Sequence, residues 1–260
     1  MNNFQKNISL AKYTTFKIGG PAKYFFKTKT KQDLIKAVQF AKKEKLPFFI
    51  LGGGSNLLVS DKGFDGMIIL MNNKRLEVDN NKIIAEAGAK LSDIVKISIK
   101  NNLTGLEWAI GIPGTIGGAV KVNAHAFNSN ISELVKGIKK DNNIIFSVEL
   151  ELKKGDRKKS NELIEKYIKK RKNSQPLEYP SAGCIFKNIP GHGAGRLIDK
   201  ASLKGVKIGQ AMISDKHANF IINLGGANAS DVIKLIKLVK KTIKKKFNIN
   251  LEEEIQYLGF

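Results

Sequence analysis

Leu51-Gly-Gly-Gly-Ser-Asn-Leu57 and Gly111-Ile-Pro-Gly-Thr-Ile-Gly-Gly-Ala119 are the two most informative stretches of this 260-residue sequence. Glycine permits positive φ and lets backbone N–H groups approach a ligand closely, which is how many loops bind phosphate. Neither stretch has the Lys-Ser/Thr ending of a phosphate loop or the pattern of the dinucleotide fingerprint. Each alone is equally consistent with a tight structural turn. Two of them, each beside an apolar strand, favour a diphosphate site.

The segments around these stretches predict a mixed α+β protein with more than one layer. The apolar strand Phe48–Leu51 runs directly into the first glycines. A helix is predicted over Thr30–Lys45, because Thr30 can cap it, Asp33 occupies the third helical position and apolar residues recur at helical spacing. Period-2 alternation predicts a strand at Phe146–Leu152. Further strands are predicted at Gly66–Met71 and Ile83–Ala87, and further helices at Ser92–Lys100, Ser160–Arg171 and Ser230–Lys246.

The composition excludes several classes of protein. Hydrophobic residues make up 42% of the chain, which argues against disorder, and the single Cys excludes a disulfide framework or a cysteine-cluster metal site. The sequence has no apolar run of transmembrane length, and the N-terminal residues lack the layout of a signal peptide. We therefore expect a soluble cytoplasmic protein with no bound metal and no membrane partner.

The net charge of +22 suggests an anionic partner without identifying it. The positive charges are mostly lysines scattered over the whole chain, since Arg occurs only at positions 75, 157, 171 and 196. A nucleic-acid-binding protein is one alternative, but no reading motif of interleaved aromatic and basic residues accompanies the charge. We therefore expect no nucleic-acid partner.

Three single side chains are candidates for acid–base chemistry. Cys184 follows Gly183 and can present a thiol, whose reference pKa of about 8.5 allows proton donation at neutral pH; a buried apolar Cys is the alternative. His217 is a candidate acid or base, or a hydrogen-bonded structural histidine. Glu254 lies in an acidic triplet that is also consistent with a solvated turn. The three histidines share no metal-ligand spacing, and a serine hydrolase elbow is absent.

Taken together, the motifs resemble the UDP-N-acetylenolpyruvoylglucosamine reductase (MurB) family, flavoenzymes that make UDP-N-acetylmuramate for bacterial peptidoglycan. The motifs occur in the family's order from residue 14 to the end of the chain, and the order makes the resemblance specific. The chain is similar to the family's shorter type, which lacks an extra tyrosine loop. Besides the two glycine stretches, the resemblance rests on Thr14–Ala22, Gln175–Gly183, Ala194–Asp199, Lys216–Phe220 and Leu251–Gly259.

The resemblance implies an FAD-binding domain of the vanillyl-alcohol-oxidase type in two subdomains, residues 1–60 and 61–155, followed by an α/β substrate-binding domain at 156–260. It implies FAD as cofactor, NADPH as reductant and a UDP-sugar as substrate, and we expect a monomer. Cys184 and Glu254 are the implied catalytic residues, and Lys187 and Asn188 the implied substrate-binding residues. The implied cofactor-binding residues are Gly52, Gly53, Gly54, Ser55, Asn56, Leu57, Gly111, Ile112, Pro113, Gly114, Thr115, Gly117, Gly118, Ala119 and Asn123.

Three features depart from the family pattern. Cys184 replaces the serine proton donor, and a thiol can preserve proton donation because it is the stronger acid. His125 stands where the family prefers glycine. The Tyr-Arg-x-Ser motif, whose arginine stabilises the enolate, is missing between Ile131–Lys140 and Ile144–Leu152. Losing such a group typically costs about 2–4 kcal/mol of transition-state stabilisation, and neither Arg157 nor Arg171 can be assigned its role. The alternative is that the chain is a degenerate relative of the family, which still binds FAD but has lost the reaction together with this segment.

Overall fold

The chain divides into two units of mixed helices and strands. A computed structural model describes residues 4–141 and 143–260. The first unit consists mainly of Phe25–Gly53 and Gly66–Arg171, and the second of Lys6–Tyr24, Gly54–Asp65 and Lys172–Phe260. Each unit is therefore assembled from segments that are far apart in the sequence. The division into 1–60, 61–155 and 156–260 stays a prediction.

The described residues contain the following helices and strands. The helices are α1 (Lys31–Lys43), α2 (Leu91–Lys100), α3 (Ile116–Lys121), α4 (Arg157–Ser174), α5 (Ala194–Lys200) and α6 (Ala229–Phe247). The strands are β1 (Gln5–Ser9), β2 (Pro21–Thr28), β3 (Phe48–Leu51), β4 (Leu57–Val59), β5 (Phe64–Met71), β6 (Leu76–Asp79), β7 (Lys82–Glu86), β8 (Leu103–Thr104), β9 (His125–Ala126), β10 (Ser129–Asn130), β11 (Val135–Asp141), β12 (Ile144–Glu151), β13 (Lys153–Lys154), β14 (Ser181–Cys184), β15 (Lys207–Ile208), β16 (Ala211–Ile213), β17 (Phe220–Asn223) and β18 (Gln256–Leu258). Short 3₁₀ helices cover Leu10–Tyr13, Glu107–Ala109 and Ile131–Glu133.

Two of the helices begin at complete capping boxes. The hydroxyl of Thr30 accepts a hydrogen bond from the Asp33 N–H at 3.1 Å, and the Asp33 carboxylate accepts from the Thr30 N–H at 3.0 Å. Asn228 and Asp231 make the same reciprocal pair at the start of α6. These contacts satisfy backbone donors that a helix leaves unpaired. The predicted helices at Thr30–Lys45 and Ser230–Lys246 are thereby confirmed to within two residues at each end.

Besides the short strand pairs β9-β10 and β8-β13, the first unit contains strands of two four-stranded sheets. In one, β3 and β5 are parallel, with Phe48 opposite Met67 and Leu51 opposite Leu70. In the other, all neighbours are antiparallel in the order β11-β12-β7-β6. The buried faces of this second sheet and of α2 and α3 share one core, which includes Ile83, Ile94 and Val148. This packing positions the chain segments that run from β7 into α2 and from α2 into α3.

The second unit is built around the antiparallel sheet β14-β17-β16-β15 and the long helix α6. Its core contains Phe16, Leu58 and Phe186, which come from three distant parts of the sequence. Strand β18 near the C-terminus pairs in parallel with β4, with Tyr257 opposite Leu58. The chain's last segment is therefore fixed beside the residues that follow the first glycine stretch.

None of the helices formed by residues 4–141 and 143–260 is long and apolar enough to cross a lipid bilayer.

The cap of α1 gives a first prediction. Thr30→Ala removes the acceptor for the Asp33 N–H, so we expect the free energy of unfolding to fall by about 1 kcal/mol. Thr30→Ser retains a hydroxyl and should keep most of that stability. Urea denaturation measures both variants, and equal losses in the two would contradict the role of the hydroxyl.

Candidate active site

Residues 51–53 of the first glycine stretch lie against the second stretch within the first unit. A Cβ atom added to Gly52 would lie 2.5 Å from the Thr115 hydroxyl oxygen, and one added to Gly53 would lie 2.6 Å from the Gly114 Cα. Both distances are shorter than real Cβ contacts. A side chain at Gly52 would have to displace the Thr115 hydroxyl, and one at Gly53 would have to displace the Gly114 backbone. The structure thus brings together the two loops that the sequence predicts to share a cofactor site.

Backbone hydrogen bonds fix the second loop to the end of β7. The Gly117 N–H donates to the Ala87 carbonyl at 3.0 Å and the Ile116 N–H to the Ala89 carbonyl at 2.9 Å. A Cβ on Gly117 would lie 2.8 Å from the Ala87 Cβ. Gly117 therefore has a structural reason to be glycine, whatever it does for a cofactor. Ile112 and Ala119 pack into the core of this unit, while Pro113 is exposed.

The Thr115 hydroxyl is a buried polar group with no hydrogen-bond partner among residues 4–141 and 143–260. Such a group costs free energy unless a ligand or water pairs with it. It lies where the two glycine loops meet, beside backbone that no side chain covers. The residues present therefore fit a cofactor with phosphate or hydroxyl groups. Within the described residues, no group of three or more His, Cys, Asp and Glu side chains is arranged to hold a metal ion.

Arg171, near the end of α4, supports the same loop and was not predicted to do so. It is buried, and its Nη2 donates to the Trp108 carbonyl at 3.3 Å. Its guanidinium carbon lies 5.1 Å from the centroid of the Phe127 ring, within cation–π range. A Cβ on Gly111 would lie 3.0 Å from the Arg171 Cδ. In sequence, Arg171 is one more cation in a lysine-rich helix, so only its burial distinguishes it.

Glu107, beside Trp108, is a second buried anchor. Its carboxylate accepts hydrogen bonds from Thr104 Oγ1 at 2.6 Å, from the Gly105 N–H at 2.7 Å and from Ser160 Oγ at 2.5 Å. Burial alone would raise the pKa of this carboxyl, but the hydrogen bonds outweigh burial and lower the pKa. The ionised Glu107 joins α4 to the segment that leads into the second glycine loop.

The remaining predicted residues of the first stretch belong to the second unit. Gly54 has φ of +60° and lies against the Tyr13 carbonyl, and its own carbonyl accepts from the Thr15 N–H at 3.1 Å. Ser55 is half-buried, and Leu57 is buried in β4. The Asn56 side-chain amide donates to the Glu254 carbonyl at 3.0 Å. Asn56 therefore links this stretch to the C-terminal segment.

The structure brings Cys184 and Glu254 onto neighbouring backbone segments of the second unit. The Glu254 N–H donates to the carbonyl of Ile185, the residue after Cys184, at 2.8 Å. Cys184 ends β14 beyond a bulge, opposite Phe220, and is half-buried rather than buried. Gly183 before it has φ of +78° with open space around its Cβ position. Two candidates 70 positions apart in sequence (184 and 254) thus share one region.

Lys187, Asn188 and Asn123 are exposed and already make contacts within their own units. The Lys187 ammonium pairs with the Glu252 carboxylate at 3.2 Å. The Asn188 side-chain oxygen accepts from the Ala194 N–H at 3.0 Å, at the start of α5. In the first unit, the Asn123 side-chain oxygen accepts from the Ser132 N–H at 3.2 Å. None of these contacts prevents the residues from facing a ligand, and their binding roles stay predictions.

His217 is a hydrogen-bonded histidine of the second unit. Its Nδ1 accepts from the Asn219 N–H at 3.3 Å, and its ring lies edge-on to Phe220 at 4.8 Å between centroids. Burial lowers the pKa of His217 below 6.5, and the charge of Lys204 adds to the shift. These contacts favour the interpretation of His217 as a hydrogen-bonded structural histidine over that of a catalytic acid or base.

The segment that carries the family's Tyr-Arg-x-Ser motif has no counterpart in the structure between β11 and β12. These strands form an antiparallel hairpin in which Asp141 is opposite Ile144. Position 142 lies outside the described residues. Arg157 is exposed at the first position of α4, and Arg171 is held by Trp108. His125 is also exposed.

The contact between the loops gives a prediction about two glycines. Gly53→Ala places a methyl group against the Gly114 backbone, and we expect it to lower the free energy of unfolding by about 1–3 kcal/mol and to weaken binding of the expected cofactor FAD. Gly118→Ala is the matched control, because its Cβ would make only an ordinary contact of 3.7 Å with Thr115. It should leave the FAD-free protein as stable or more stable. Denaturation and FAD titration measure both, and a Gly53→Ala protein of native stability would contradict the close packing.

His217 gives a prediction about pH. Because its pKa is lowered in the folded chain, the unfolded chain takes up this proton first as the pH falls below about 6.5, which costs folded-state stability. His217→Asn cannot titrate, so it should lose less stability than the native chain between pH 7.5 and 5.5. Urea denaturation at both pH values measures this, with the exposed His192→Asn as control. An identical pH dependence in the native and His217→Asn proteins would refute it.

Two family models match most of this chain. Residues 22–148 match the family model of an FAD binding domain, and residues 175–258 match that of the UDP-N-acetylenolpyruvoylglucosamine reductase C-terminal domain. Named UDP-N-acetylenolpyruvoylglucosamine reductases from Caldanaerobacter subterraneus and Caldicellulosiruptor bescii are 40% and 41% identical, over 97% and 98% of this chain and 93% and 91% of their own.

A solved structure extends the likeness to the fold. The crystal structure of the UDP-N-acetylenolpyruvylglucosamine reductase from Thermus caldophilus matches with a TM-score of 0.85 at 32% identity, covering 98% of both chains. The predicted FAD-binding fold with a C-terminal substrate-binding domain is thereby confirmed. On these matches, which span almost the whole length, the chain belongs to the UDP-N-acetylenolpyruvoylglucosamine reductase family.

Proposed function

We propose that this chain uses NADPH to reduce UDP-N-acetylenolpyruvoylglucosamine to UDP-N-acetylmuramate, a step in making peptidoglycan precursors. FAD is the cofactor, because residues 22–148 match an FAD-binding family. The matches to named reductases over nearly the full chain support the substrate. NADPH as the reductant, the cytoplasm as the location and a monomer as the active state are part of the proposal.

The first unit supplies residues that would hold FAD. Gly52, Gly53 and Gly114 leave backbone uncovered where the loops meet, and the buried hydroxyl of Thr115 is available to pair with the cofactor. Arg171 and Glu107 hold the preceding segment in place. The hydride chemistry is supplied by FAD, which when bound accepts a hydride from NADPH and delivers it to the terminal carbon of the substrate's enol ether.

The second unit supplies the proton. As hydride adds to the terminal carbon, the double-bond electrons move onto the carbon beside the substrate carboxylate, giving an enolate. The Cys184 thiol then donates its proton to that carbon, and the thiolate regains a proton from water, so that one hydride and one proton have added across the double bond. The observation that best supports this role is the hydrogen bond from the Glu254 N–H to the carbonyl of Ile185, because it joins the backbone of Glu254 to that of the residue after Cys184.

Glu254 orients the acid or stabilises the enolate in this proposal. Its backbone is held at both polar groups, the N–H by Ile185 and the carbonyl by the Asn56 amide. A carboxyl group on so fixed a backbone loses little freedom when it binds substrate, which is the basis of preorganised catalysis. Glu254→Gln should therefore slow the proton-transfer half-reaction more than flavin reduction.

The missing arginine motif lowers the expected rate but does not change the reaction. A lysine can replace the point charge but not the bidentate geometry of a guanidinium. We therefore expect turnover to be slower than in family members that carry the arginine, by up to the 10²–10³-fold that roughly accompanies loss of one oxyanion donor.

The direct test of function is product formation. Purified protein, NADPH and UDP-N-acetylenolpyruvoylglucosamine are incubated without oxygen, and UDP-N-acetylmuramate is identified by mass spectrometry. In deuterium oxide, one deuterium should appear at the carbon beside the carboxylate. A protein that binds FAD and is reduced by NADPH but forms no product would instead be the relative that has lost the reaction.

Cys184 is tested by separating the half-reactions in anaerobic stopped-flow. Cys184→Ala should leave flavin reduction by NADPH nearly unchanged and slow flavin reoxidation by the substrate at least 100-fold, roughly the contribution of a positioned general acid. Cys184→Ser restores the family's donor and should retain most of the reoxidation rate. Equal loss of both half-reactions in Cys184→Ala would contradict the proton-donor role.

A further inference from the structure

The side chain of Asn219 holds the backbone of the residues that follow Cys184. Its Oδ1 accepts from the Phe186 N–H at 3.0 Å, and its Nδ2 donates to the Phe186 carbonyl at 2.8 Å. Its own carbonyl accepts from the Ile185 N–H at 2.8 Å. Asn219 is 3% exposed, so these three bonds form away from solvent. Two consecutive residues after Cys184 are thereby tied to one asparagine.

The same short segment, residues 185–187, is also hydrogen-bonded to the C-terminal residues of the candidate site. The Ile185 carbonyl accepts from the Glu254 N–H at 2.8 Å, and the Lys187 N–H donates to the Glu252 carbonyl at 2.9 Å. Phe186 forms an isolated antiparallel bridge with Glu253. A shift of residues 185–187 would therefore move Cys184 and Glu254 together with the bonds that join them.

The amide of Asn219 makes both hydrogen bonds to Phe186, which an ionised carboxylate cannot do. Asparagine offers one acceptor and two donors at a side-chain length that reaches a neighbouring backbone, whereas an ionised aspartate offers acceptors alone. Asn219→Asp would therefore retain the bond from the Phe186 N–H and set a carboxylate oxygen against the Phe186 carbonyl. The two oxygen atoms would repel each other in a buried place, so residues 185–187 would have to shift to separate them.

We propose that Asn219 is a positioning residue for proton transfer, holding residues 185–187 so that the Cys184 thiol and Glu254 meet the substrate in a fixed arrangement. This role rests on the proposed function. Among the described residues, the Asn219 side chain hydrogen-bonds to Phe186 and to none of the predicted cofactor-binding residues. Loss of the Asn219 amide should therefore slow substrate reduction without slowing flavin reduction.

Asn223 provides a matched control four positions later. It is also 3% exposed, and its side chain makes hydrogen bonds of similar length. Those bonds go elsewhere in the same unit: Nδ2 donates to the Phe16 carbonyl at 3.0 Å, and Oδ1 accepts from the Gly225 and Ala227 N–H groups at 2.9 and 3.0 Å. Asn223→Asp therefore introduces the same chemical change in an equally buried place without touching Ile185 or Phe186.

The experiment compares Asn219→Asp and Asn223→Asp in anaerobic stopped-flow, with thermal unfolding measured alongside. Asn219→Asp should slow flavin reoxidation by the substrate roughly 10–100-fold, the scale of a misplacement of about 1 Å, and leave flavin reduction by NADPH within about twofold. Asn223→Asp should change neither rate by more than about twofold. Equal effects of the two substitutions on reoxidation, or no effect of Asn219→Asp, would overturn the proposal.

A second readout does not depend on the proposed reaction. Cys184 is the chain's single cysteine, so the rate of its alkylation by iodoacetamide reports the thiol's surroundings directly. Asn219→Asp should change this rate at least about threefold relative to the native chain and to Asn223→Asp, and an unchanged rate would count against the positioning role. If the native protein forms no product while alkylation still responds to Asn219, the proposed function fails and the positioning survives.

Asn219→Ser covers the case in which the aspartate variant does not fold. Serine removes the amide without adding a charge and leaves room for water. It should reproduce the slower reoxidation and the altered alkylation, whereas native values for both would overturn the proposal.

Discussion

Backbone contact between Gly53 and Gly114 is the constraint on which the candidate cofactor site depends. A Cβ atom on Gly53 would lie 2.6 Å from the Gly114 Cα, and Gly114 has φ of +132°, a conformation that favours glycine. Two backbone hydrogen bonds hold the second loop in place. The N–H of Leu91, the first residue of α2, donates to the Gly114 carbonyl, and the Ile116 N–H donates to the Ala89 carbonyl. The uncovered backbone and the buried Thr115 hydroxyl are consequences of this contact.

The second unit uses a different means to fix its candidate groups. Here the site depends on residues 185–187, a short segment bonded both to Asn219 and to residues 252–254. Such pairing is long-range, so it exists only when the whole unit has folded, and it places Cys184 next to Glu254 without a contact between neighbours in sequence. One unit therefore contains the contact between the two glycine stretches, and the other contains the residues that we propose for proton transfer.

Much of the fold could be predicted from the sequence. The long helices α1, α2, α4 and α6 were predictable because their apolar residues repeat at helical spacing, and α1 also because Thr30 marks its first turn. The Asn228 cap of α6 was not identified from the sequence. The two-residue strands, such as β8 and β15, were not, because pairing with a distant strand, rather than local preference, defines them. Strand β17 was not predicted either. It is a run of four buried residues, and hydrophobic periodicity does not distinguish so short a run from part of a buried helix.

Part of the candidate site was also predictable from the sequence. Glycine loops are visible in sequence, because no other residue suits a close backbone approach. The roles of Arg171 and Asn219 are not, because a buried Arg in a lysine-rich helix and a buried Asn in a loop look like solvated residues until their partners are known. Burial of a polar side chain is a property of the folded chain, and the sequence alone does not reveal it.

The measurement that tests the account most directly is hydrogen–deuterium exchange of the FAD-free protein with and without added FAD. If the contact between the glycine loops forms the cofactor site, amides in both 51–57 and 111–119 should exchange more slowly when FAD is present, while those of α6 change little. Protection confined to one loop, or found only outside both, would contradict it.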